Sequence, residues 1–318
     1  MTANLPLPIF SCLLQGALLL VLAPLMSGII KSWKARLQNR RGPRFWQPYA
    51  DLIKFFRKDM VISEHASWVF AVAPHVVFLT SLLAGLMVPM LTAQAPLGLF
   101  GGVLAVVGLL ALGRFFLALG GLDPGSAFGG MGSSREMTIA AVAEPAMMLA
   151  IFTLAIGAGS TDLSHIVQAN LGTAWKLVSP VHAMAFVALF IVLIAETGRV
   201  PVDNPATHLE LTMIHEAMLL EYSGRYLALM EWGAAIKQLV LLTLLANVFL
   251  PAGIATEISP AVLGLSALAY GVKLLVLAGL VVLVETTNAK LRLFRVSDLL
   301  SAAFVLAALA LFSTFLFS

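Results

Sequence analysis

The chain has 318 residues, of which 60% are hydrophobic and 11% charged, with a formal net charge of +3 and a mean hydropathy of +0.97. Soluble domains carry about a quarter charged residues, so this composition excludes a soluble enzyme and describes an all-α polytopic membrane protein. The small basic excess gives no reason to expect a nucleic-acid partner, and one cysteine, Cys12, excludes an internal disulfide and cysteine-ligated zinc or iron–sulfur clusters.

Apolar runs long enough to cross roughly 30 Å of hydrocarbon are expected near residues 8–30, 69–91, 98–120, 137–158, 180–198, 232–251, 261–284 and 297–317. The first lacks the basic n-region and cleavage site of a signal peptide, so it is expected to be retained. After it comes "WQPYADLIKFFRK", in which Tyr49, Leu52, Ile53 and Phe56 fall on one helical stripe behind Pro48. That pattern predicts an amphipathic helix lying in the membrane interface.

Several charges fall within or at the ends of the predicted spans: Arg114, Glu144, Glu196, Lys237, Lys273 and Glu285. A charge at the bilayer centre costs about 2.5–3.5 kcal/mol on insertion scales. Arg114 and Lys237 can reach an interface along their stems, and Glu285 can lie beyond its span. Lys273 has no such easy escape and Glu144 only a partial one; both read as functional, with a structural ion pair as the alternative.

The loop after the fifth span, "ETGRVPVDNPATHLELTMIHEAMLLEYSGRY", gathers Glu196, Asp203, Glu210, Glu216 and Glu221 with His208 and His215. Asn204–Pro205 predicts a helix start, Ala206 to Tyr222 its body and Gly224 its stop. Glu210 and Glu221, eleven residues apart, would share a face of that helix. Basic partners at i+4 are nearly absent. Crowded acids beside a membrane retain protons, so Glu144, Glu196, Glu210 and Glu221, with His208, Glu216, Lys237, Lys273 and Glu285, are the candidate proton path.

Cations set the orientation. Lys31, Lys34, Arg36, Arg40, Arg41, Arg44, Lys54, Arg57, Lys58, Arg135, Arg199, Arg225, Lys290, Arg292 and Arg295 all fall on odd-numbered loops, against Lys176 on the even ones. By the positive-inside rule the odd loops are cytoplasmic and both termini lie on the other side of a cytoplasmic (inner) membrane. No internal or inverted repeat divides the chain, so residues 1–318 are read as one membrane domain.

These motifs resemble the complex I subunit-one family. Its E-x-x-R-x-P-x-D core stands as Glu196, Arg199, Pro201 and Asp203, and its E-Y-S-G end as Glu221, Tyr222, Ser223 and Gly224. Loop one supplies Arg40, Gly42 and Pro43, then Gln47, Pro48, Ala50, Asp51 and Lys54; Arg135 precedes Glu144 by the family's nine residues. Two departures, Ala206 and His208 where respiratory subunits carry acids and a shorter segment between Pro43 and Gln47, look like the hydrogenase branch that includes formate hydrogenlyase. The same departures leave open whether a quinone binds.

The resemblance implies a membrane-anchoring, proton-coupling subunit with no cofactor of its own. It implies a hydrophilic arm with a [NiFe] centre and iron–sulfur clusters on the cytoplasmic face, and antiporter-like subunits beside it in the lipid bilayer. Arg40, Gly42, Pro43, Asp51, Arg135, Arg199, Asp203 and Tyr222 are then the docking and motif residues. The alternatives are the quinone-site subunit of a respiratory NADH:quinone oxidoreductase and a stand-alone ion transporter. The ion, H⁺ or Na⁺, and the electron donor stay open.

Overall fold

The structure, a computed structural model, describes residues 6–171, 179–204, 213–257 and 259–317. His208 and Glu210, and most of the helix expected over 206–222, lie outside them. The described elements are helices: α1 (Pro6–Leu37), α2 (Gln47–Arg57), α3 (Trp68–Met87), α4 (Val103–Leu122), α5 (Ala127–Ala158), α6 (Leu163–Asn170), α7 (Pro180–Glu196), α8 (His215–Leu219), α9 (Gly224–Thr243), α10 (Pro260–Thr287) and α11 (Leu293–Phe317). Between strand-like segments only single bridges form among the described residues, Thr92 with Ala255 and Gly102 with Asp162.

Seven of these helices are long and apolar enough to cross a membrane, and α7, at 17 residues, is a shorter apolar helix. All-helical architecture follows from the chemistry of lipid, where every backbone N–H and C=O must be paired within the segment. The ends fall into two sets. At one end Ser67 at the start of α3 bonds Asp123 at the close of α4, Lys34 of α1 meets Glu285 of α10, and Ser223 bonds Val61. At the other, Asn247 bonds the carbonyls of Pro89 and Met90, and His182 at the start of α7 lies 3.0 Å from the Phe249 carbonyl. α7 therefore runs from the second end to the charged first end.

Two expectations are corrected. The helix carrying Glu144 begins at Ala127, ten residues before the expected span, so Arg135 lies within a helix and not in a loop. "GGMGSSRE" fell before the apolar run expected at 137–158, but its glycines serve close helix approach: a Cβ at Gly129 would run into the Gly121 carbonyl, and one at Gly132 would sit 2.9 Å from Ala217 Cβ. Second, within the described part of 213–222, only His215–Leu219 is helical, and Gly224 opens α9 instead of ending a helix. Its φ of +53° is a glycine conformation, and a Cβ there would meet the carbonyls of Lys58 and Asp59 at 2.9 and 3.0 Å.

The amphipathic helix is present as α2, with Pro48 in its first turn and no fully buried residue. Tyr49 donates a hydrogen bond to the Val21 carbonyl of α1, Phe56 packs edge-on to Trp232 of α9, and Ile53 is exposed.

Candidate functional site

Three of the other charges read within the spans, Glu144, Glu196 and Lys237, gather around Arg114. Its guanidinium, on α4, reaches Glu144 of α5 at 2.5 Å through Nη1 and Glu196 of α7 through Nη2, while Glu136 of α5 lies 3.5 Å from Nε. Lys237 of α9 adds a second cation to Glu196 at 2.7 Å. The side chains of Arg114 and Glu196 are almost wholly buried, whereas that of Glu144 is 30% exposed. A guanidinium suits this place because its planar fork of five N–H donors serves several carboxylates at once.

A second network sits one helical turn further along the chain. Arg199 donates to Glu285 of α10 and to the Gln238 amide oxygen of α9, both at 2.9 Å. Lys34 of α1 lies 3.1 Å from Glu285, and Ser27 donates to the same Gln238 oxygen at 3.1 Å. Arg114, Glu196 and Lys237 of the first network and Arg199, Gln238 and Glu285 of the second line one cavity of about 630 Å³, whose lining also includes the charged Lys31, Arg40, Glu216 and Glu231 and the apolar Leu52, Phe55, Val77 and Met230. Burial and the charge of Glu231 push the Glu216 carboxyl above the ordinary carboxylate value, with His215 and Lys31 opposing.

The motif residues are joints. Asp203 accepts from the backbone N–H groups of Asn204, Ile214 and His215 and from Lys290 Nζ, the last at 2.7 Å, so it holds α8 against the loop. Arg135 donates to the Met213 carbonyl at 2.8 Å. Tyr222 stacks on Phe70 at 4.0 Å between ring centres and donates to the Phe70 carbonyl. Gly42 packs on α1, where a Cβ would lie 2.7 Å from that of Ala35. Asp51 accepts from Gln47 at 3.0 Å and lines the cavity with Arg40, Gly42 and Pro43.

The structure thus brings together Glu144, Glu196, Lys237 and Arg114, and beside them Arg199 and Glu285. Glu221 lies exposed at the surface. Lys273 donates to the carbonyls of Ala246 and Leu250 and to Asn247 Oδ1, at 3.2, 2.8 and 2.8 Å. These oxygens stand at the widened last turn that continues α9, Leu244–Phe249, where carbonyls lose their helical partners and an ammonium satisfies them. Sequence reasoning missed Glu136, Glu231 and Gln238. Glu136 lay in a stretch read as loop, and Gln238 carries no charge to draw notice. Among the described residues no group of three or more His, Cys, Asp or Glu is arranged to hold a metal ion.

Residues 10–316 match the NADH dehydrogenase family. The chain is 37% identical over 299 residues to hydrogenase-4 component C of Escherichia coli (strain K12), covering 94% of this chain and 93% of that one. It is 36% identical over 305 residues to formate hydrogenlyase subunit 4 of the same organism, covering 95% and 97%. A subunit of the NADH-quinone oxidoreductase of Syntrophotalea carbinolica is 32% identical over 68% of each chain. Among solved structures, a chain of the membrane-bound sulfane sulfur reductase, an archaeal respiratory membrane complex, superposes with a TM-score of 0.83 over 96% of this chain and 99% of that one, at 20% identity, a likeness of fold. With a match running through nearly every described helix, the chain belongs to the NADH dehydrogenase family, that of complex I subunit 1.

Proposed function

We propose that this chain is the membrane-anchoring, proton-coupling subunit of an energy-converting [NiFe] hydrogenase of the hydrogenase-4 or formate hydrogenlyase type. The observation that carries the reading is the shared buried guanidinium of Arg114, with three carboxylates around it, on the wall of a cavity that Glu216 and Glu231 also line. Three carboxylates against Arg114 and Lys237 leave the cluster one formal negative charge in excess, which attracts a proton to it. Glu196 joins the cavity to Arg114, and Glu144, the more exposed carboxylate, is the exit. His208, Glu210, Glu221 and Lys273 extend the proposed path. Near-full-length similarity to hydrogenase-4 component C and formate hydrogenlyase subunit 4 favours the hydrogenase branch.

On this reading α7 is the eighth span. Its 17 residues rise about 25 Å at 1.5 Å each, enough for a thin or locally adapted bilayer. The odd loops then face a cytoplasmic arm that holds the [NiFe] centre and iron–sulfur clusters, and antiporter-like subunits lie alongside. Glu144→Gln keeps size and hydrogen bonding and removes the titrating proton. The variant complex is expected to assemble, keep its metal centres and lose proton translocation in vesicles. Normal pumping by an assembled Glu144→Gln complex, and by Glu196→Gln likewise, would reduce this chain to an anchor.

A second reading, the quinone-site subunit of a respiratory dehydrogenase, draws on the cavity itself. Its volume of about 630 Å³ falls within the range of ligand pockets, roughly 300–1,000 Å³, and one wall is apolar. Quinone-dependent turnover by the purified complex, abolished by Leu52→Trp, would favour it.

A further inference from the structure

The two networks on the cavity wall approach each other at two joints. Glu196 and Arg199 are one turn apart, and Lys237 and Gln238 are consecutive. Yet among the described residues no hydrogen bond or ion pair connects one network to the other. Their formal charges are opposite. The Arg114 network holds two cations and three carboxylates, whereas Arg199 and Lys34 share the single carboxylate of Glu285. A proton is attracted to the first and repelled by the second.

Gln238 stands between them, and its orientation is fixed. Its Oε1 accepts from Arg199 Nη2 and from Ser27 Oγ. The flipped amide would turn its NH₂ toward a guanidinium, donor against donor. The fixed orientation leaves Gln238 Nε2 buried without a hydrogen-bond partner, and Glu196 Oε1, across the joint, is a buried acceptor without one. Gln238 is 4% exposed and Glu196 5%, and both residues line the cavity. Buried polar groups without partners are exceptional in folded proteins and call for an explanation. An unused donor and an unused acceptor on opposite sides of a charge boundary have one in common: the boundary is held open.

We infer that Gln238 is a partition between the two networks, an uncharged side chain that keeps Arg199 on Glu285 and keeps protons drawn to the Arg114 network from draining to the Arg199 side of the cavity. An amide donates and accepts hydrogen bonds but does not titrate in the working pH range, so it can order its neighbours without passing a proton. The inference rests on the reading of the glutamate network as proton-carrying.

The test is Gln238→Glu, with Gln238→Met beside it, in the intact complex reconstituted into sealed vesicles. The readout is decay of an imposed pH gradient in the absence of turnover. A carboxyl at 238 takes a proton on one oxygen and releases it from the other to Glu196, with no change of oxidation state. Gln238→Glu is expected to speed the decay several-fold, and Gln238→Met to match the parent. Parent-like decay with Gln238→Glu overturns the partition. So does equally fast decay with Gln238→Met, since a packing defect and not a proton carrier would then be leaking. Should Gln238→Glu not assemble, Gln238→His places another titrating group at the same position. It is expected to speed the decay, and parent-like decay with the assembled variant overturns the inference. Failure of the relay itself is read separately, as normal pumping by Glu144→Gln, because passive decay requires no turnover.

Discussion

Arg114 shows how one side chain makes a buried acid cluster tolerable. Its guanidinium is the common partner of Glu136, Glu144 and Glu196, so removing it leaves three carboxylates with only Lys237 near them. Breaking a buried pair from one side costs about 3–5 kcal/mol. Arg114→Met is therefore expected to cut the yield of folded protein sharply and lower its unfolding temperature in detergent. Arg114→Lys, which keeps the charge but loses the fork, should fall between the two; a lysine variant as stable as the parent would show that charge alone matters. Glu216 behaves oppositely, because burial and Glu231 raise its carboxyl. The folded protein then binds a proton that the unfolded chain has released, so the site's contribution to stability is full below the ordinary carboxylate value and is lost as pH rises through the raised one. Glu216→Gln removes that loss. Its unfolding temperature should gain on the parent's as the medium goes from acidic to neutral, and parallel pH profiles would show that Glu216 is not raised.

Among elements, the contacts of small residues decide where helices meet. Gly120 of α4 lies where a Cβ would run into Tyr222 Oη and stand 2.9 Å from Ala73 Cβ of α3. Gly120→Ala has to push Tyr222 off its stack on Phe70, a form of overpacking that costs about 1–3 kcal/mol. Gly108, with nothing within 4 Å of a Cβ, is the control on the same helix: Gly108→Ala should be neutral or stabilising, and equal losses at both sites would discount the contact. The same chemistry explains what the sequence hid. Long apolar runs were legible because hydrocarbon demands them, and α2 was legible from Pro48 and its aromatic stripe. The first turns of α5 were not, since glycine and serine serve loops and close helix packing alike. Glu136 went unseen with them. Gln238 was hidden for another reason, as nothing in a single sequence marks an uncharged residue that owes its role to Arg199 and Ser27.

At the scale of the whole molecule, charge is sorted by end. Lys34, Glu285, Asp203, Lys290 and Asp123 meet one another or their loops at one end of the bundle, while the opposite end, joined through Asn247, Pro89, Ser266 and Leu91, carries no ion pair among the described residues, and its cation Lys273 is held by carbonyl oxygens. On the proposed orientation the first end is cytoplasmic, and α7, counted as the proposed eighth span, makes the number of crossings even. Two exposed positions test this directly. Leu99, 99% exposed between α3 and α4, belongs to the outer side, and Val61, 76% exposed between α2 and α3, to the inner. With Cys12 replaced by serine, a membrane-impermeant thiol reagent applied to intact cells should label Leu99→Cys and spare Val61→Cys. Permeabilised, denatured cells should label both, which separates true sidedness from shielding by a partner. Labelling of Val61→Cys alone in intact cells would invert the bundle, and with it the side proposed to face the cytoplasmic arm.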